Sequence, residues 1–283
     1  MVAATLLLTA ATAAAVATAA QPAMAASDLL VVTDISPTSS VHTKGKFVQC
    51  PSGTVVLGGG GIIGNGSNRV HLNALFADEF SNGFWAGAAE IRPGDYTATW
   101  RVRVYAICGP ESLSPLYLSH QSLPNNGPHQ QVQVECPRGM NLVSVGASID
   151  EQQNYVMIDD MEALSDLRTA NVWAVNREDP APHAWTATAY GVCVNQFAIS
   201  GLERIESTSA SNFLVKDQTT QCPRGKQLYG LGAAKLNAGG HALFQTVQPE
   251  PANSPDWANA LVTPDPTGAP KAWSIKVQAL CAN

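Results

Sequence analysis

Strict alternation of apolar and polar side chains marks the segment Trp100-Arg101-Val102-Arg103-Val104-Tyr105-Ala106-Ile107-Cys108. Trp100, Val102, Val104, Ala106 and Cys108 share one side; Arg101, Arg103, Tyr105 and Ile107 share the other. A period of two predicts a half-buried β-strand. The pattern returns as Trp273, Ile275, Val277, Ala279 and Cys281, with Lys276 and Gln278 opposite, and as the smaller set Trp185, Ala187, Ala189, Gly191 and Cys193. Shorter apolar runs predict further strands at Leu29–Val32, Phe47-Val48 and Thr54–Leu57, with counterparts at Leu116–Leu118, Phe197–Ile199, Asn141–Val143 and Gln227–Tyr229. Ala163–Arg168 fits one helical turn and is the single helix candidate.

These segments belong to a threefold repeat. Cys50-Pro51-Ser52-Gly53, Cys136-Pro137-Arg138-Gly139 and Cys222-Pro223-Arg224-Gly225 open the copies at equal spacing, 136 − 50 = 86 and 222 − 136 = 86. A glycine follows ten residues later in each, at Gly60, Gly146 and Gly232, inside a predicted strand. Such a glycine marks a bulge or a close backbone approach, and an indole lying over it is one reason to want no side chain. Outer tryptophans stand at Trp100, Trp185 and Trp273; inner Trp-Ala pairs stand at Trp85-Ala86, Trp173-Ala174 and Trp257-Ala258. All six Cys and all six Trp thus fall in one repeating frame.

Composition agrees with a turn-rich β protein. Of 283 residues 45% are hydrophobic and 13% charged, with 23 Gly and 18 Pro, which excludes the disordered class. The formal charge is −6 and no basic block occurs, so neither nucleic acid nor an anionic membrane is an expected partner.

The N-terminus predicts export. Residues 3–20 are uncharged and rich in Ala, Leu and Thr, and Ala23-Met24-Ala25 offers a small-x-small cleavage site. The first basic residue is Lys44, so the usual positive start is missing. A membrane anchor is the rival reading. Removal of residues 1–25 leaves 283 − 25 = 258 residues, which is 3 × 86. In an oxidising space six cysteines read as disulfides. Of 15 pairings the repeat selects Cys50–Cys108, Cys136–Cys193 and Cys222–Cys281.

Candidate chemistry is sparse. The outer tryptophans share a strand face with a cysteine and are expected in the core. Trp85, Trp173 and Trp257, nearer the variable loops, are candidates for stacking on sugar rings. Asp159, Asp160, Glu162 and Asp166 offer oxygen ligands for Ca²⁺ or an acid/base pair; no other cofactor is implied. Gly59–Gly64 matches G-x-G-x-x-G, but Asn65-Gly66-Ser67-Asn68 follows where a nucleotide-binding helix is needed. No G-x-S-x-G elbow is present, and His42, His71, His120, His129, His183 and His241 share no repeat position.

The combination of Cys-Pro-x-Gly, a glycine-bearing strand, an inner Trp and a closing Trp-x-Val-x-Val-x-Ala-x-Cys resembles tandem repeats of secreted actinobacterial proteins. The resemblance covers nearly all of the chain after residue 25. It implies an exported, disulfide-closed β module and no activity. Copy two departs from it where Ala and Gly replace bulky closing-strand residues.

The expected architecture is all-β: three antiparallel sandwich-like repeats at residues 26–110, 111–195 and 196–283, each with one disulfide. They sit either as beads or about a pseudo-threefold axis. The expected role is non-catalytic extracellular binding of a carbohydrate or cell-surface polymer through sites presented three times, using Trp85, Trp173, Trp257, Asp159 and Asp160. A structural or inhibitor-like protein-interaction role is the alternative, and a hydrolase with its site in one copy is a third.

Overall fold

A computed structural model describes residues 29–150, 155–177, 183–250 and 256–283. The export segment expected over residues 1–25 lies outside the described residues.

Copy one contains β1 (Leu30–Ile35), β2 (Thr43–Gln49), β3 (Thr54–Gly64), β4 (Val70–Asp78), β5 (Gly83–Glu90) and β6 (Arg101–Pro110). Copy two contains β7 (Leu116–Gln121), β8 (His129–Glu135), β9 (Met140–Asp150), β10 (Val156–Ala163), β11 (Thr169–Asn176) and β12 (Thr186–Asn195). Copy three contains β13 (Glu203–Thr208), β14 (Lys216–Gln221), β15 (Gln227–Leu236), β16 (Ala242–Glu250), β17 (Trp257–Pro264) and β18 (Ser274–Ala282). Among the described residues there is no α-helix; the helical segments are two 3₁₀ turns, Ser67–Arg69 and Glu111–Leu113. The helical turn expected at Ala163–Arg168 is instead the end of β10 and its hairpin turn, because the Asp166 carboxylate accepts the Arg168 and Thr169 amides at 2.9 and 3.0 Å. That side-chain bonding favours a turn over a helix.

Each copy is two three-stranded half-sheets facing one another. In copy one these are β1-β6-β3 and β2-β5-β4, and the other copies repeat the order. The half-sheets then pair across copies. Three six-stranded antiparallel sheets result, β1-β6-β3-β16-β17-β14, β13-β18-β15-β10-β11-β8 and β2-β5-β4-β9-β12-β7. Copy one shares a sheet with three, three with two, and two with one, so the ring closes. The joints are equivalent: Leu75 opposite Ala147, Met161 opposite Ala233, and Val247 opposite Gly61. The copies therefore pack about a pseudo-threefold axis, and one apolar core runs through all three. Sharing sheets covers strand edges that an isolated copy would expose.

The Cys-Pro-x-Gly motif is a turn. The amides of Thr54, Met140 and Lys226 donate to the carbonyls of Pro51, Pro137 and Pro223 at 3.0–3.1 Å. The third residue of each turn has φ of 82°, 84° or 87° at Gly53, Gly139 and Gly225, the left-handed region where only glycine sits without strain. The disulfides are Cys50–Cys108, Cys136–Cys193 and Cys222–Cys281. Each ties the end of one half-sheet to the middle strand of the other, closing its sandwich. The three outer tryptophans are buried, at 0%, 1% and 0% exposure for Trp100, Trp185 and Trp273. The closing strand is more buried than alternation predicts, for Tyr105 and Ile107 are buried too.

Candidate functional site

An equivalent bulge stands at each of the three joints between copies. Asn73, Asp159 and Gln245 are the extra residues of β4, β10 and β16. Just beyond them Gly60, Gly146 and Gly232 press against a strand of the neighbouring copy. A Cβ at Gly60 would collide with the Val247 carbonyl; at Gly146 and Gly232 it would stand 2.6 Å from the Leu75 and Met161 carbonyl oxygens. The close backbone approach expected at these glycines is present, but the neighbour is main chain of another copy. An indole does lie on a glycine elsewhere, Trp85 over Gly45.

Two positions from different copies flank each glycine. Tyr105, Tyr190 and Gln278 lie opposite Gly60, Gly146 and Gly232 in the ladders. Their partners across the glycine are Gln248, Phe76 and Glu162, each 26 residues after its own first cysteine. Phe76 and Tyr190 stack with centroids 4.5 Å apart and planes at 12°. Gln278 Nε2 donates to Glu162 Oε1 at 3.3 Å and to Glu206 Oε1 at 2.7 Å. One structural position thus carries an aromatic pair in one joint, a charged network in a second and a mixed pair in the third.

The joint of copies one and two holds a cavity of about 140 Å³. Copy one supplies Phe76, Asp78, Glu79 and Phe80; copy two supplies Tyr117, Ser119 and Tyr190. Phe80, on the β4–β5 turn, is 96% exposed. Its amide donates to Asp78 Oδ1 at 3.1 Å, which fixes the turn. Tyr117 Oη donates to the Val56 carbonyl at 2.8 Å, and Tyr190 Oη lies 3.2 Å from Ser148 Oγ. Burial, with the nearby charge of Glu79, pushes the Tyr117 phenol up. The matching position in the joint of copies two and three is filled. There Arg204, which stands where Tyr117 stands, donates to the Ala163 carbonyl at 2.6 Å and pairs with Glu206 at 3.1 Å.

Of the residues singled out in sequence, only some come together. Trp173 lies directly opposite Asp160 in the β10–β11 ladder, beside the bulged Asp159, with the His129 ring 5.7 Å from its own. Trp85 and Trp257 lie in the two other sheets. The inner tryptophans also prove not to be equivalent. The residues opposite Leu75, Met161 and Val247 are Ala86, Val172 and Ala260. Counted from these, the tryptophans sit at −1, +1 and −3. All odd offsets share the face away from the buried alanines, so each Trp faces outward, at a different height on its strand.

Asp159 and Asp160 belong to a buried charge cluster. Lys235, fully buried, places Nζ 3.4 Å from Asp159 Oδ1 and donates to the Ala242 carbonyl at 2.8 Å. Asp160 Oδ1 accepts the Lys235 amide at 3.2 Å. Burial and the charges of Asp159 and Glu162 push the Asp160 carboxyl up to about 7, and burial pulls the Lys235 ammonium down. Glu162 is engaged by Lys276 at 2.6 Å and Asp166 by its own turn. Of the four carboxylates weighed for Ca²⁺, Asp159 and Asp160 thus share Lys235 while Glu162 and Asp166 turn to other partners, and among the described residues no three His, Cys, Asp or Glu side chains gather as a metal site. Gly59–Gly64 lies within β3, followed by the 3₁₀ turn Ser67–Arg69 and then β4 where a nucleotide-binding α-helix is needed. His42 and His241 pair with Glu90 and Asp265 at 3.2 and 3.1 Å.

The chain matches no family model and no curated protein. Its three disulfides belong to an oxidising environment. No helix among the described residues is long and apolar enough to cross a membrane.

Phe76, Tyr117 and Tyr190 escaped the sequence reading. A signal did exist: Phe76 and Tyr190 sit at fixed distances from their cysteines, where the third copy has Gln248 and Gln278.

Proposed function

We propose that this chain is an exported, non-catalytic protein that binds a carbohydrate or a cell-surface polymer, and that the ligand enters the cavity between copies one and two. The observation that carries this reading is the lining. Four aromatic side chains, Phe76, Phe80, Tyr117 and Tyr190, meet two carboxylates, Asp78 and Glu79, in one concave site. Sugar rings present apolar C–H faces to aromatic side chains and hydroxyl donors to carboxylates, and concave sites with a few convergent polar groups are where ligands bind. Phe80 supports the reading further, since a phenyl ring 96% exposed on a turn fixed by Asp78 has no part in the core. Export rests on the apolar N-terminus and the disulfides.

The test is a glycan array and a pull-down on insoluble cell-wall polymer, using the disulfide-bonded protein and its Tyr190→Ala variant. Retention of the parent and its loss in the variant supports the reading; no retention on any polymer counts against it. A protein-interaction role is favoured by one observation, the exposed run Phe213, Leu214 and Val215 at 59%, 70% and 54% in the β13–β14 connection. Co-purification of a protein from culture supernatant, abolished by Leu214→Ser and untouched by Tyr190→Ala, separates the two roles.

A further inference from the structure

We infer that the group held in the cavity between copies one and two is an organic ammonium, as on a sugar with a free amine. This rests on the binding reading above and narrows its ligand class. The lining carries Asp78 and Glu79, and among the described residues that form it none is basic. Its formal charge is therefore −2, from two residues of a wall that draws on eleven. The phenolic hydroxyls are already engaged, Tyr117 with the Val56 carbonyl and Tyr190 with Ser148. What remains for a ligand is one small hydroxyl, Ser119, against two carboxylates and the aromatic surface. A cation is the partner that uses both, by ion pairing to the carboxylates and by attraction to the π faces.

The neighbouring joint shows the same logic from the other side. In the position that Tyr117 holds here, copy three carries Arg204, and its guanidinium lies against Glu206 and the Ala163 carbonyl. There the protein supplies its own cation to a joint rich in carboxylate. In the joint of copies one and two, among the described residues that line the cavity, the carboxylates stand without one, beside aromatic rings. The cavity, about 140 Å³, is of a size for one small headgroup.

The experiment titrates the disulfide-bonded protein by calorimetry at mildly acidic pH with a glucosamine oligomer, with its fully N-acetylated counterpart and with choline. The expected result is that the free-amine oligomer binds about tenfold tighter than the acetylated one, that salt weakens it, and that the double variant Asp78→Asn/Glu79→Gln abolishes the preference. Asn at 78 keeps the oxygen that accepts the Phe80 amide, so the turn survives. Equal or tighter binding of the acetylated oligomer overturns the ammonium assignment and leaves the glycan reading standing. Binding of choline alone keeps the ammonium site and removes the glycan reading. Binding of none of the three overturns the ammonium assignment, and the glycan array and polymer pull-down then decide the binding reading separately.

Discussion

Gly146 lies so close to Phe76 that a Cβ added to the glycine would stand 3.1 Å from the Phe76 Cβ and 2.6 Å from the Leu75 carbonyl oxygen. This is the joint between copies one and two, where the sheet is held across copies by Leu75 opposite Ala147 and Ala74 opposite Ser148. Main chain on one side leaves no soft neighbour to move aside. Gly146→Ala is expected to cost about 1–3 kcal/mol, the usual range for overpacking. A urea midpoint measured without reductant checks it. An unchanged midpoint would mean that the joint is looser than described.

Much of this fold is legible in the sequence, and the reasons are physical. Cysteine and tryptophan are rare, and each disulfide and each outer indole needs a fixed place in a sandwich, so the outer Trp stands eight residues before the second cysteine in every copy and the Cys–Cys separation is 58, 57 and 59. The turn glycines Gly53, Gly139 and Gly225 are legible because positive φ excludes other residues. The inner tryptophans misled. A Trp-Ala pair recurs at nearly regular distance, but the outward face of a strand accepts an indole at any odd offset, and nothing in the core enforces one. Sheet sharing was not legible, since a joint of two residue pairs imprints no periodicity. The cavity depends on that sharing. Phe76 and Tyr190 are 190 − 76 = 114 residues apart and meet only because β4 pairs with β9.

The charge cluster at Asp160 predicts a pH dependence. Its carboxyl titrates at about 7 in the folded protein and near ~4 in an unfolded chain. Between those values the native state keeps a proton that the unfolded chain has released. Stability therefore falls as pH rises through that window, levels off above it, and shows no contribution from Asp160 below it. Asp160→Asn keeps an oxygen for the Lys235 amide and removes the titration. The difference in melting temperature between parent and variant should grow from pH ~4 to pH ~7, with the variant gaining. A flat difference across the window would refute the assignment.

Trp257 offers a control for the binding reading. It is 38% exposed, lies in the sheet that joins copies one and three, and has no equivalent indole at its height in the other copies. Trp257→Ala is expected to change stability by no more than about 0.5 kcal/mol, as for most surface positions, and to leave polymer retention as it was. Retention lost in this variant, and kept in Tyr190→Ala, would return the site to the tryptophans.

The buried lysines over the outer tryptophans yield a prediction that depends on the repeat itself. Lys216 Nζ sits 4.5 Å from the Trp273 ring centroid and donates to the Leu214 and Asn212 carbonyls at 2.8 and 3.2 Å, and to Asn212 Oδ1. Lys44 does the same over Trp100, at 4.7 Å from the ring, bonded to the Ser39 carbonyl at 2.8 Å. Both ammonium groups have their pKa lowered by burial. Copy two carries Gln130 at the same place, six residues before its cysteine, and its Nε2 donates to the Trp185 carbonyl at 2.8 Å. The shared requirement is a donor that reaches main-chain carbonyls beside the indole; the positive charge is present in two copies and absent from the third. Lys216→Gln should then be tolerated within about 0.5 kcal/mol, whereas Lys216→Met, of similar reach but without a donor, should cost about 0.5–1.5 kcal/mol through the hydrogen bonds it loses, the Asn212 carbonyl keeping the Trp273 amide as its partner. Denaturant unfolding of both variants against the parent decides between donor and charge. Equal losses in Gln and Met would show that the cation over the indole matters more than the hydrogen bonds it makes.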